Sequence, residues 1–121
     1  MFLASSNKSK RFLHVSYIQR VEPEELQRGL EDIKLLLADM PSGIRLLVDF
    51  SRLEFMGSAC ATEIGLAMEM FDQHGVELVV RLIPDPSKDI GMNILAIFHY
   101  KHRPRIVTCE NMAEAAKALA L

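Results

Sequence analysis

The stretch Leu46–Gly65, LLVDFSRLEFMGSACATEIG, decides the fold class of this chain. It begins with a short, almost continuous apolar run, which is typical of a central strand in a parallel sheet. A loop follows, and then a segment whose apolar residues recur at helical spacing. Ser58 stands where the loop becomes the helix. A strand, a loop and a helix in this order predict one unit of an α/β domain.

The rest of the chain repeats this order, which gives four strand-then-helix units without an internal sequence repeat. We expect strands within residues 10–21, 44–50, 76–83 and 102–109, and helices that begin near Pro23, Ser58, Asp85 or Ser87, and Glu110. The pattern predicts a largely parallel sheet of four or five strands with about four α-helices. The 121 residues suffice for one domain, 1–121. Residues 1–9 are predicted to be a loose segment, with a sheet edge as the alternative.

Helical spacing also predicts which side chains are buried. The first helix buries a stripe of five residues, and "PSG" ends it. The helix that begins near Ser58, which we call the serine helix, buries another stripe and ends at Gly75, which supplies a C-terminal cap. The third helix turns its large apolar residues inward and contains Gly91, an unfavourable helix residue that allows close approach of another element or a ligand. The three stripes are Leu26, Leu30, Ile33, Leu37 and Met40; Cys60, Ile64, Ala67 and Phe71; and Ile90, Ile94, Ile97 and Phe98.

Composition excludes several classes of protein. The formal net charge is −2 and no basic excess is visible, so nucleic acid is not an expected partner. No apolar run approaches the ~20 residues of a membrane span. The first residues lack the order of a signal peptide, which predicts a cytoplasmic protein. Cys60 and Cys109 fit no disulfide framework or metal motif, and we expect two reduced, packed thiols. His99 and His102 share a helix face without a third ligand, so no metal site is predicted.

Ser58 has three physical interpretations. Serine is a favourable N-cap, which is worth ~1 kcal/mol over alanine. The same position suits a phosphoserine, because a helix N-terminus has unpaired amides and a partial positive charge. The phosphate would also bring strong charge into a surface that docks a partner. A catalytic serine is the weakest interpretation, because FMGSACA lacks the second glycine of a nucleophile elbow.

These residues resemble the STAS domain, the small domain of bacterial anti-sigma factor antagonists, stressosome proteins and sulfate-transporter tails. The family has a strand ending in an LDLS-like run and a loop reading F-[IM]-D-S-[ST]-G, where this chain has VDFS and FMGSAC. Gly57, Ala59 and Cys60 replace three of the family's motif residues, and Ser58 is retained. The resemblance covers most of the chain. It implies a STAS-like α/β sandwich and a bacterial signalling module. The residues include no paired carboxylates, nucleophile–base motif or phosphate loop of recognised spacing, so neither an enzyme nor a cofactor is predicted.

The resemblance also implies a protein partner, such as a kinase-type anti-sigma factor that phosphorylates Ser58. The predicted partner or ligand surface surrounds that serine and includes the loop after the third main strand. Asp49 and Ser51 have a second interpretation as a polar strand end that binds nearby loop amides. The Ser87 and Lys88 amides either hold an anion or simply begin a helix. The full predicted surface is Asp49, Ser51, Met56, Gly57, Ala59, Thr62, Asp85, Ser87 and Lys88.

An alternative function is a small-molecule or lipid-binding sensor or accessory domain without a phosphorylation switch. A pocket between the serine helix and the helix of residues 90–100 would support it. A homodimer is compatible with either function.

Overall fold

A computed structural model of the chain describes residues 1–85 and 89–120. The strands in these ranges are β1 Phe2–Asn7, β2 Phe12–Tyr17, β3 Gln19–Val21, β4 Arg45–Asp49, β5 Leu53–Met56, β6 Leu78–Leu82 and β7 Arg105–Cys109. The helices are α1 Pro23–Ala38, α2 Ala61–His74, α3 Asp89–His99 and α4 Met112–Leu119, and a 3-10 turn, Ser58–Cys60, leads into α2. The four predicted strand-then-helix units are confirmed, whereas β5 lies in a predicted loop and the predicted first strand is divided into β2 and β3.

Five strands form the main sheet in the order β1-β2-β4-β6-β7. The pairs β2–β4, β4–β6 and β6–β7 are parallel, and β1 pairs with β2 in the antiparallel direction. The short strands β3 and β5 form a separate parallel pair. The mostly parallel sheet is therefore as predicted. Because β4 and β6 are adjacent and parallel, the loops that follow their carboxyl ends lie side by side.

The sheet has an apolar core on each face, because successive side chains of a strand point to opposite sides. Leu46 and Val48 of β4 join the larger core, which α1, α2 and α3 cover, whereas Leu47 points to the smaller core under α4. The predicted stripe of α1 is buried at Leu26, Ile33, Leu37 and Met40 and half-buried at Leu30, and all four predicted residues of the serine helix are buried. Gly75 ends α2 with φ 87°, as predicted.

Residues 1–9 are not a loose segment, and that prediction is wrong. Residues 2–7 form β1, the edge strand, and the Met1 ammonium donates hydrogen bonds to the carbonyls of Ile18 and Arg20 at 2.7 and 2.8 Å. The Phe2 ring packs edge-on against Tyr17 at 5.2 Å. The same ring covers Gly29 of α1 so closely that a Cβ there would lie 2.5 Å from it. These contacts fix the segment as an edge strand, the alternative that the sequence left open.

The predicted orientation of α3 is also wrong. Its large apolar residues face outward, with Ile90 65%, Ile94 51%, Ile97 78% and Phe98 69% exposed. The buried face instead contains Asp89 and Ala96. Arg81, which is 1% exposed on β6, donates to Asp89 Oδ1 at 3.1 Å and to Asn93 Oδ1 at 2.7 Å. A buried guanidinium requires such partners, so it sets the rotation of the helix.

Candidate functional site

A tight turn connects β4 to β5 and begins at Asp49. The Asp49 carboxylate is largely buried, and its Oδ1 accepts a hydrogen bond from the Ser51 amide at 2.8 Å. The Leu53 amide donates to the Phe50 carbonyl at 3.1 Å, which closes the turn. Asp49 therefore stabilises its own loop, as one of the two interpretations expected. Ser51 is exposed beside it.

Cys60 anchors the 3-10 turn to the interior. Its thiol donates to the Val21 carbonyl at 3.7 Å, and its amide donates to the Gly57 carbonyl at 3.0 Å. Burial, with a smaller contribution from the Glu63 carboxylate, raises the pKa of the Cys60 thiol above its ordinary value. The thiol therefore stays protonated and can serve as a hydrogen-bond donor. Because Cys60 points inward at the end of this turn, the preceding residues are held at the surface.

We call the residues Met56, Gly57, Ser58, Ala59 and Thr62 the Ser58 surface. Ser58, Ala59 and Thr62 are exposed, whereas Met56 and Gly57 are half-buried. Ser58 begins the 3-10 turn, and neither this turn nor α2 has a side-chain cap. The capping interpretation of Ser58 is therefore wrong. Its hydroxyl lies at the solvent-facing start of a helical segment. The first amides of such a segment have no carbonyl partner within it.

Three carboxylates lie close enough to Cys60, next to the Ser58 surface, to act on its thiol. Glu22, Glu24 and Glu63 all act on the neighbouring Cys60, where their negative charge raises the pKa of the thiol further. Glu63 is only 8% exposed. Its Oε1 accepts from Gln27 Nε2 at 3.3 Å, and its Oε2 has no hydrogen-bond partner within residues 1–85 and 89–120. A phosphate on Ser58 would gain from the helix amides and be repelled by these carboxylates.

An open cleft of about 540 Å³ lies beside the Ser58 surface. It is formed by the β4–β5 turn, β5, the chain after β6 and the first turn of α3. Its volume falls within the range of ligand pockets, and most of its lining is apolar or aromatic. The Arg20 guanidinium lies 4.7 Å from the centre of the Phe55 ring, one of its walls. The lining residues are Phe50, Ser51, Leu53, Glu54, Phe55, Met56, Ile83, Pro84, Asp85 and Met92.

The predicted surface is thus divided between two adjacent places. Ser51, Met56 and Asp85 line the cleft, and Met56 also belongs to the Ser58 surface. Asp49 is largely buried below the turn. Ser87 and Lys88 lie outside the described residues, so their predicted anion site does too. The sequence did not identify the apolar lining, Phe50, Leu53, Phe55, Ile83 and Met92, because isolated apolar residues near strand ends are usually core.

The pocket expected between α2 and α3 is not large enough for an organic ligand. The space there is about 20 Å³, roughly the size of one water molecule. Gly65 of α2 explains the close packing, because a Cβ at this position would lie 2.5 Å from His99 Nε2 of α3. The small residue lets the two helices approach, and their interface is filled.

Two further features bear on function within the described ranges. No group of three or more His, Cys, Asp or Glu side chains there is arranged to hold a metal ion. No described helix has the length and apolar character required to cross a membrane.

The comparisons with known proteins identify the fold. Neither a family model nor a curated protein matches the sequence. Among solved structures, the chain is similar to an uncharacterized protein of the DUF3478 family with a SpoIIAA-like fold from Shewanella loihica PV-4. The TM-score is 0.71 at 12% identity, over 98% of this chain and 92% of that one. It is also similar to the anti-sigma factor antagonist SpoIIAA in its unphosphorylated form. That match has a TM-score of 0.65 at 15% identity, over 99% and 98% of the two chains. The STAS-like fold predicted from residues 46–65 is confirmed.

Proposed function

We propose that this chain is a bacterial, cytoplasmic signalling module that binds a protein partner through the Ser58 surface and the adjoining face of α2. Phosphorylation of Ser58 regulates that binding, and the candidate partner is a kinase-type anti-sigma factor. The proposal assigns no catalytic step, metal or cofactor to the chain. The observation that carries it is the placement of Ser58. Its hydroxyl is exposed at the start of a helical segment and does not cap that segment.

The charges around Ser58 support a switch in which phosphorylation weakens partner binding. A phosphoserine adds about −1.5 to −2 charges at neutral pH. Glu22, Glu24 and Glu63 already act electrostatically on Cys60, two residues after Ser58, so a phosphate would add negative charge close to existing negative charge. A partner that docks onto Ala59 and Thr62 would then meet a hydrated, charged group at the centre of its contact. We therefore expect phosphorylation to release the partner.

The test compares four versions of the chain as affinity baits in a lysate of the source cells, with quantitative mass spectrometry of the captured proteins. The versions are wild type, Ser58→Ala, Ser58→Asp and Ser5→Asp. Ser5 is an exposed serine on β1, so its aspartate is a matched control for added charge. We expect a partner that binds wild type, Ser58→Ala and Ser5→Asp, and is lost with Ser58→Asp.

Two results would contradict the proposal. Equal capture of the partner by all four baits would show that Ser58 does not control binding. Capture of no specific partner by any bait would remove the protein-binding function itself. Intact-mass measurement of the chain after incubation with a captured kinase adds a direct readout, in which wild type gains one phosphate and Ser58→Ala gains none.

A small-molecule sensor is the second candidate, and the cleft beside the Ser58 surface favours it. Its volume of about 540 Å³ and its aromatic walls suit an apolar organic ligand or lipid chain. The test is native mass spectrometry of the chain purified from its source cells. A ligand bound to wild type and lost in Met92→Trp, which fills the cleft, would support this function. A ligand-free wild type would contradict it.

A further inference from the structure

The outer face of α3 is a large apolar surface on the described part of the chain. Ile90, Ile94, Ile97 and Phe98 follow one another at intervals of four, three and one residues, and each is at least half exposed. No residue between Asp89 and His99 is charged. A helix at a protein surface normally has polar residues on its solvent-facing side. We call these four side chains the α3 stripe.

The stripe cannot turn inward, because the opposite face of α3 is already bonded to the sheet. Asp89 Oδ1 accepts from Arg81, and Asp89 Oδ2 accepts from the Thr108 hydroxyl at 2.7 Å. Asn93 Oδ1 accepts from Arg81 at 2.7 Å. Rotating the helix to bury the stripe would leave the Arg81 guanidinium buried without its partners, which is strongly unfavourable. The exposure of the stripe is therefore a property of the folded chain.

Gly91 lies on the same side of the helix, away from the rest of the described chain. It is exposed, and a Cβ built there meets nothing within 4 Å. Glycine inside a helix costs roughly 0.5–1 kcal/mol relative to alanine. Gly91 is three residues before Ile94 and seven before Phe98, so all three lie along one line of the helix surface. A missing side chain on this line permits another helix to approach closely.

We propose that the α3 stripe is the interface of a homodimer, in which α3 of a second copy packs against it in the antiparallel direction. Ile94 lies near the middle of the stripe, and a two-fold axis there places Ile90 of one copy opposite Phe98 of the other. An uncharged stripe brings no like charges together, and antiparallel helix dipoles attract. This surface is distinct from the Ser58 surface, so the dimer goes beyond the proposed function.

The area of the stripe is consistent with a dimer. Its four side chains expose on the order of 500 Å², which is at the upper end for an apolar patch on a monomer. Two copies together would bury about 1,000 Å² from these residues alone, the minimum for a specific interface. The exposed backbone at Gly91 adds to this area. We therefore expect a dimer of moderate affinity that depends on protein concentration.

Sedimentation equilibrium across a wide range of protein concentration tests the proposal. We expect the wild-type mass to rise from 13.7 kDa toward twice this value. Ile94→Arg places a charge on the axis and should raise the dimer dissociation constant by roughly 30-fold or more. Leu35→Arg is the matched control, because Leu35 is a 71% exposed leucine on α1, and it should leave the constant unchanged. Circular dichroism confirms that each variant is folded.

Disulfide cross-linking tests the orientation of the two helices. Ile94→Cys should cross-link with itself, and Ile90→Cys should cross-link with Phe98→Cys when the two variants are mixed. The native cysteines, Cys60 and Cys109, are buried and do not interfere. Self-linking of Ile90→Cys and of Phe98→Cys, without the mixed product, would show a parallel pair and overturn the antiparallel arrangement.

Other outcomes would overturn the dimer itself. A wild type that stays monomeric at the highest concentration, or an Ile94→Arg variant that associates as strongly as wild type, contradicts the interface. A monomer that co-sediments with phosphatidylglycerol vesicles, and loses this binding in Ile94→Arg, would assign the stripe to a lipid surface instead. None of these results depends on Ser58, so failure of the dimer and failure of the phosphorylation switch are distinguishable.

Discussion

The helices α2 and α3 lie side by side on one face of the same sheet. The helix α2 turns its large apolar residues toward the sheet, whereas α3 turns them toward solvent. The helix α2 buries its apolar stripe, including Ile64, Ala67 and Phe71. The helix α3 has the more apolar sequence of the two, but it buries Asp89 and exposes its isoleucines. The difference shows that the face a helix buries depends on the partners that a buried guanidinium requires, together with the apolar residues Met92, Leu95 and Ala96 that pack on the core, and not on the largest apolar stripe.

The largest expected difference in the free energy of unfolding is between alanine substitutions of one phenylalanine on each helix. Phe71→Ala removes a 3% exposed ring from the core and should lower the free energy of unfolding by about 4 kcal/mol. Phe98→Ala removes a 69% exposed ring and should change it by less than about 0.5 kcal/mol. Urea denaturation at a protein concentration that keeps the chain monomeric measures both. Equal losses would mean that α3 packs through Phe98, contrary to the structure.

The next effect concerns the charge that sets the rotation of α3. Asp89→Ala leaves the Arg81 guanidinium buried, with Asn93 and the Met92 carbonyl as its remaining partners among residues 1–85 and 89–120, and should cost about 3 kcal/mol. Asp39→Ala is the control, because Asp39 forms its ion pair with Lys8 at the surface with a 79% exposed side chain. That variant should lose less than about 1 kcal/mol. A similar loss in both variants would show that the Arg81–Asp89 pair does not hold α3.

The smallest effect distinguishes two of the helical glycines, one in α2 and one in α3. Gly65→Ala in α2 would place a Cβ against the His99 ring, which must move, and should destabilise the chain by about 1 kcal/mol. Gly91→Ala in α3 meets open space and should stabilise the monomer by roughly 0.5–1 kcal/mol. Thermal unfolding of the two variants should therefore shift in opposite directions. Shifts of the same sign would contradict the different surroundings of these two residues.

Much of the fold follows from local patterns in the sequence. The apolar run before Asp49, the helical stripe beginning at Cys60 and the capping Gly75 each depend on neighbours within a few positions, and each is confirmed. The position of β1 was not predicted, because it depends on contacts of Phe2 with Tyr17 and Gly29 that are distant in sequence. The orientation of α3 was missed for the same reason.

The candidate site shows the same limit. The sequence located Ser58 at a loop-to-helix junction, and the structure places it there as an exposed residue. The cleft beside it was not predicted, because its walls come from separate segments such as Phe55 on β5 and Met92 on α3. Spacing along one segment does not show how such walls converge. Whether Ser58 is phosphorylated stays a prediction for the experiments above.

The reverse side of the sheet has a simpler cover, the two-turn helix α4. Within the described chain, the smaller core that includes Val80 and Ala115 lies beneath this helix. The Arg45 guanidinium ties its end down by donating to the Leu119 carbonyl at 2.6 Å and to the Lys10 carbonyl at 2.7 Å. Because a two-turn helix has few internal hydrogen bonds, we expect α4 amides to exchange with solvent deuterium well before those of the central strands β4 and β6. Early exchange in α4, with the amides of α2 and α3 still protected, would mean that this side of the sheet opens separately from the side that carries the Ser58 surface.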